Sequence, residues 1–249
     1  MRACLVLVRR ELEGYFVSLT GYVIITLTLL LLGFSFLALL SNLNGEATEA
    51  PLTELFFSTW YYWLIFLLIS PVITMRLFAL EKSSGTYETL LTTPVNETEI
   101  VLAKFTGALI FYAVVWLPLL LYIWIVHRQT PTVAFDLGGL ASTFLGLLLI
   151  GALYVSIGCF ASALTQSQMV AVMVSFGIGI VLFILSVWTL LGAPLKGWAS
   201  KVLNYVAITS HMEQFARGAI DTRPVVYYLT MTILFLFVTV KVVESRRWN

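Results

Sequence analysis

Two histidines, two cysteines and a few serines set in apolar runs are the side chains of this 249-residue chain that could ligate a metal, form a redox pair or attack a carbonyl. Their spacing leaves them without partners. His127 and His211 have no ligand-spaced neighbour, and each reads as an interfacial polar residue rather than a zinc ligand. Cys4 and Cys159 make no C-x-x-C pair, and one precedes the first apolar run while the other lies inside a later one, so neither redox chemistry nor a disulfide is indicated. A serine nucleophile needs a base within hydrogen-bond reach. Ser156, Ser175 and Ser186 lie in charge-free runs with no histidine or lysine beside them. There is no G-x-x-x-x-G-K-[ST], and Gly177-Ile178-Gly179 sits in the middle of a run without phosphate-binding context. The chain reads as no enzyme, with no metal site and no cofactor of its own.

The elements that hold these residues account for that silence. The chain is 60% hydrophobic and 11% charged, where soluble domains are ~25% charged. A hydrocarbon core takes about 20 helical residues to cross. Six windows meet or approach that length without one Asp, Glu, Lys, Arg or His: 21–40, 60–75, 105–126, 140–164, 169–191 and 225–240. The fold expected is all-α and integral to the membrane, with six transmembrane helices. A proton-coupled carrier normally keeps a carboxylate at membrane depth, and none is present, while sodium sites made of backbone carbonyls stay open. The formal charge of +1 gives no electrostatic basis for binding nucleic acid.

Basic residues near span ends set orientation. Arg2, Arg9, Arg10, Arg76, Lys82, Lys104, Lys241, Arg246 and Arg247 fall on the side of the termini, and Arg128, Lys196, Lys201, Arg217 and Arg223 fall opposite. Both termini are expected in the cytoplasm.

Between the windows, four segments have character. Leu5, Val8, Leu12, Tyr15, Phe16 and Leu19 recur at helical steps opposite Arg2, Arg9, Arg10 and Glu13, which predicts an amphipathic interfacial helix over 1–20 with a bend between Gly14 and Gly21. The loop 79–104 predicts a short helix capped by Ser83 or Ser84 with Glu88 in its first turn, a stop at Thr93-Pro94, and a restart under an Asn96/Glu99 capping box. The stripes Ala152, Ser156, Cys159, Ala163 and Gly158, Ser162, Thr165 predict close helix contact, within the bundle or along a substrate path. Residues 192–224 are too polar to cross and predict two short helices near the outer face.

On the order Arg10-Glu11-Leu12, two spans, Glu81-x-x-x-Gly85-Thr86-x-Glu88-x-Leu90-Leu91-x-x-Pro94-Val95-x-x-x-Glu99-x-x-x-x-Lys104, then four spans, the chain resembles the permeases of ABC type 2 exporters. Thr209 to Asp221 and Glu244-Ser245-Arg246-Arg247-Trp248 resemble the gliding-motility-associated branch in particular. The resemblance implies a single permease domain over 1–249, a coupling helix at about 82–93, and re-entrant helices at 192–224. It implies a separate ABC ATPase subunit that binds ATP and magnesium, a second permease (identical or sister), surrounding lipid, and the inner membrane of a bacterium as location. Glu81, Gly85, Thr86, Tyr87, Glu88, Leu90 and Leu91, with Arg10 and Glu11 of the N-terminal helix, are then the ATPase-coupling residues. The acids would meet basic residues of the ATPase and the leucines would fill its groove. Two other readings suit a charge-free interior: a non-exporting relative that drives envelope or motility machinery, and a passive anchor for a partner complex.

Overall fold

The computed structural model describes residues 2–43, 52–87, 96–129, 137–190 and 198–245. Among these residues the chain is helical apart from short turns, without strands. In chain order the helices are α1 (Arg2–Phe16), α2 (Leu19–Leu43), α3 (Leu52–Ser58), α4 (Trp60–Thr74), α5 (Ala79–Ser83), α6 (Glu97–Trp116), α7 (Pro118–Gln129), α8 (Leu137–Leu164), α9 (Gln168–Leu190), α10 (Trp198–Val206), α11 (Ile208–Ala216) and α12 (Thr222–Ser245).

Among the described residues, five stretches are long and apolar enough to cross a membrane: Leu19–Asn42, Glu97–Ile125, Leu137–Leu164, Gln168–Trp188 and Thr222–Ser245. The remaining window, 60–75, becomes α4, a 15-residue helix about 22 Å long, short of a ~30 Å core. Pro71 lies inside it and removes one ladder hydrogen bond. The expected single span 105–126 is two segments, because Pro118 has no N–H to donate at the start of α7. Leu117 keeps helical dihedral angles (φ −54°, ψ −36°), so the axis continues across the break.

α8 is the central helix, packed by α4, α6, α9, α11 and α12. Its small residues make this packing possible. A Cβ on Gly151 would overlap the Tyr112 ring, and one on Gly158 would overlap the Thr74 side chain. A Cβ on Gly146 would sit 2.7 Å from the Phe215 ring. Ser156, Cys159 and Ala163 of one stripe are buried, and so are Gly158 and Ser162 of the other. The stripes therefore serve contacts within the bundle. Tyr154 reinforces this by donating from its hydroxyl to the Gly179 carbonyl of α9 at 3.1 Å.

The two short helices expected between the last spans are α10 and α11; Leu195 and Lys196 lie outside the described residues. Gly218, at φ +82°, turns the chain after α11 in a conformation that favours glycine. No sequence pattern announced α3, which faces α11. Thr53 Oγ1 donates to the Ala216 carbonyl at 3.3 Å, and Arg217 pairs with Glu54 at 2.7 Å. One of the basic residues that counted against the orientation thus has its acid in the loop before α4.

His211, in α11, is buried and its Nδ1 lies 3.1 Å from the Tyr228 hydroxyl. Burial holds its pKa below the ordinary imidazole value of 6.5, while the Asp221 charge pulls the other way. An unfolded chain takes up this proton near 6.5 and the folded one does not. The contribution of neutral His211 to stability is therefore complete above that pH and is lost as pH falls through the lowered folded-state value. We expect the melting temperature of the detergent-solubilised protein to drop as pH falls below 6.5, and His211→Gln to flatten that part of the profile. An unchanged slope in the variant would refute the assignment.

Candidate functional site

The polar loop after α4 is seated on three helices, and each attachment has a local cause. α4 ends at Thr74, and the chain turns through Met75–Phe78 into α5. The free amides at the start of α5 are satisfied by one hydroxyl from α8. Ser162 Oγ accepts from the Phe78 and Ala79 N–H groups at 3.0 and 3.1 Å and donates to the Met75 carbonyl at 3.1 Å. That is the full capacity of a serine hydroxyl. At the other end of α5, Lys82 Nζ donates to the Ala163 carbonyl in the last turn of α8, where intrahelical donors are missing. Ser162, read from the sequence only as a small contact residue, is thus a helix cap.

The second attachment is ionic. Lys104 of α6 has a side chain only 3% exposed, and its Nζ lies 2.9 Å from Glu11 Oε1 and 2.9 Å from Glu81 Oε1. Arg10, half exposed, closes the cluster at 3.0 Å from Glu81 Oε1 and 3.3 Å from Glu11 Oε1. Two bases and two acids from α1, α5 and α6 meet around one buried ammonium. The Phe78 ring lies 5.3 Å from the same ammonium. An isolated charge at this burial would cost several kcal/mol, and the two carboxylates together offset that cost.

The third attachment is α1 itself, which runs in the same direction as α6. Glu11 lies over Gly107, where a Cβ would be 2.9 Å from the Glu11 Cβ, and one turn further on Tyr15 stacks on Phe111 at 4.5 Å. Phe16 meets Phe111 edge-on, and the Tyr15 hydroxyl donates to the Ile73 carbonyl of α4 at 2.8 Å. A Cβ on Gly21 would overlap the Tyr15 carbonyl, which explains a glycine at the α1–α2 corner. The expected amphipathic helix is present, but the face holding Val8, Glu11, Leu12 and Tyr15 is committed to protein, while Leu5 and Val6 are exposed.

Of the residues singled out in the sequence, the fold brings Arg10, Glu11 and Glu81 together. Glu81 was expected to offer its charge outward. Instead its side chain is 17% exposed and one oxygen is shared by Arg10 and Lys104. Ser83 ends α5 with Ser84 as its C-cap, and Gly85 at φ +73° interrupts the helix there; the part of the expected 82–93 helix from 88 onward lies outside the described residues. Thr86 and Tyr87 are helical again; Thr86 Oγ1 lies 2.9 Å from Ser84 Oγ, and Tyr87 is buried with the Lys82 ammonium 5.2 Å from its ring. Glu88, Leu90 and Leu91 lie outside the described residues. Asn96 is the N-cap of α6, but its side chain makes no capping bond, so the Asn96/Glu99 box is not formed.

Lys104 ends the motif quoted from the sequence but was not among the residues given a coupling role. Its signal was present: a lone base directly before a charge-free run, on a helix whose next turn carries Gly107, needs an acid close by.

Comparison with known proteins adds one finding. Residues 61–244 match the family described as ABC-2 family transporter protein. No curated protein matches the chain.

Proposed function

We propose that this chain, which belongs to the ABC-2 family of transporter proteins, is the permease subunit of an ATP-driven exporter whose ATPase docks on the junction of α1, α5 and α6. The family generally works with an ABC ATPase partner, and this sequence has no P-loop of its own. The observation that carries the proposal is the three-way seating of the loop. Ser162 and Lys82 fix it to α8, and the Lys104 cluster fixes it to α1 and α6. A displacement applied to the loop reaches three helices at once through contiguous bonds.

In this reading ATP and magnesium sit in the partner, and their binding closes the motor against the segment that contains Glu88, Leu90 and Leu91. The leucines fill an apolar groove of the ATPase, in the manner of a short helix laid into a cleft. Gly85 supplies the turn that presents them. Two permeases, identical or sister, meet on α4 and α9, which pack together and expose Leu64, Leu68, Met173, Val181 and Ile184. Their rocking releases cargo past α10 and α11, and both termini face the cytoplasm of a bacterial inner membrane. The likeness of residues 209–221 and 244–248 supports the gliding-motility-associated branch as its place within the family.

Leu90→Arg and Gly85→Pro test this. Each is expected to reduce transport-coupled ATP turnover about tenfold or more, the effect of losing a groove-filling anchor; the purified Leu90→Arg permease should keep its melting temperature, whereas Gly85→Pro, which cannot adopt φ +73°, should also lower it. Intact coupled turnover in both variants would overturn the docking assignment.

A further inference from the structure

A second polar site lies at the α1–α2 corner, and nothing in the coupling proposal uses it. Arg76, two residues past the end of α4, donates from Nη1 to Ser18 Oγ at 3.2 Å and to Thr20 Oγ1. The two hydroxyls lie 2.9 Å apart, and the Gly21 N–H donates to Ser18 Oγ at 3.3 Å. Among the described residues Arg76 makes no ion pair, in contrast to Arg9, Arg10 and Arg217. One nitrogen is used, and Nη2 and Nε have no acceptor among the described residues. A guanidinium presents two parallel donors on that edge, a geometry that fits a phosphate or carboxylate.

The place of this cation narrows the ligand. α2 begins at Leu19 and α4 ends at Thr74, so the corner marks one end of the apolar bundle whichever way the chain is oriented. The Tyr15–Ile73 bond holds the corner against α4. Around it Val17 and Leu19 are each 81% exposed, and Tyr22 and Val23 are exposed as well. Apolar side chains bare to this degree at the end of a membrane helix meet hydrocarbon, and a cation directly above them meets the headgroup layer.

We infer that Arg76, Ser18 and Thr20 form a site for the phosphodiester of an anionic phospholipid, with the acyl chains along Val17, Leu19 and Val23. The inference does not depend on the exporter reading.

Native mass spectrometry and thermal unfolding of the detergent-purified protein test it, with phosphatidylglycerol, phosphatidylcholine or inorganic phosphate added. The wild type should retain phosphatidylglycerol and gain melting temperature with it. Arg76→Met should weaken that retention about tenfold, the effect of losing a charge-assisted hydrogen-bond pair, and Arg76→Lys should recover only part. Equal retention in wild type and Arg76→Met would overturn the site. Stabilisation by inorganic phosphate equal to that by lipid would overturn the lipid as its source. If Arg76→Met does not fold, a photo-crosslinker placed at Tyr22 in the otherwise wild-type chain decides. Transfer of labelled phosphatidylglycerol that excess phosphatidylcholine does not displace supports the site, and absence of transfer refutes it.

Discussion

Replacing Lys104 with methionine should destabilise the protein by about 3 kcal/mol, at the lower end of what is measured when one partner of a buried ion pair is removed. The reason is the geometry around its Nζ. Glu11 and Glu81, with side chains 15% and 17% exposed, each sit 2.9 Å from it. Methionine fills nearly the same space but leaves two largely buried carboxylates with only Arg10, itself half exposed. Unfolding of the purified protein in mixed micelles of increasing denaturing detergent gives the number. The double variants refine it. Glu81→Gln in the Lys104→Met background should cost much less than Glu81→Gln in the wild type, because the charge it removes no longer has its ammonium. Additive effects would mean that the two side chains do not act as a unit.

The second large effect is expected at Gly158. Valine there would push a branched side chain into Thr74, whose Oγ1, Cβ and Cγ2 all lie where the new Cβ must go. The site is buried, with α8 on one side and the end of α4 on the other. The helices must separate or Thr74 must leave its rotamer, and overpacking of this kind costs about 3 kcal/mol. Removing the obstacle should recover most of the loss, so Thr74→Gly is expected to rescue Gly158→Ala. Gly177 is the control. A Cβ there meets nothing within 4 Å, and Gly177→Ala should be neutral or stabilising by up to ~1 kcal/mol from helix propensity. A loss at Gly177 comparable with that at Gly158 would contradict close packing as the cause.

Much of the fold could be read from hydropathy because a membrane interior imposes a simple code. The apolar windows all became helices, and the periodicity of Leu5 to Phe16 and of Trp198 to Val206 identified α1 and α10. What escaped was specified by distant partners. Glu11 and Lys104 are 93 positions apart, and Ser162 caps a helix 83 and 84 positions earlier. No local pattern announces such bonds. α3 has seven residues, too few for periodicity to declare it, and its place is set by Glu54 and Thr53 reaching α11. Local signals also missed α5, which ends at Ser83 and Ser84 before the chain turns at Gly85 with φ +73°. At the candidate site the fold brings together Arg10, Glu11 and Glu81, three residues the motif had singled out. Their inward pairing followed from Lys104, whose need for a counter-charge becomes visible only once burial is known.

The central claim is that this permease is driven through its loop by a separate ATPase. The most direct measurement is a tagged purification from native membranes in mild detergent, with mass spectrometry of the partners and ATP turnover assayed on the eluate. The account predicts an ABC ATPase in near-equal amount, a permease pair, and turnover that Leu90→Arg reduces. Recovery of the chain alone, or with partners that hydrolyse no ATP, would contradict it and leave the passive anchor as the better description.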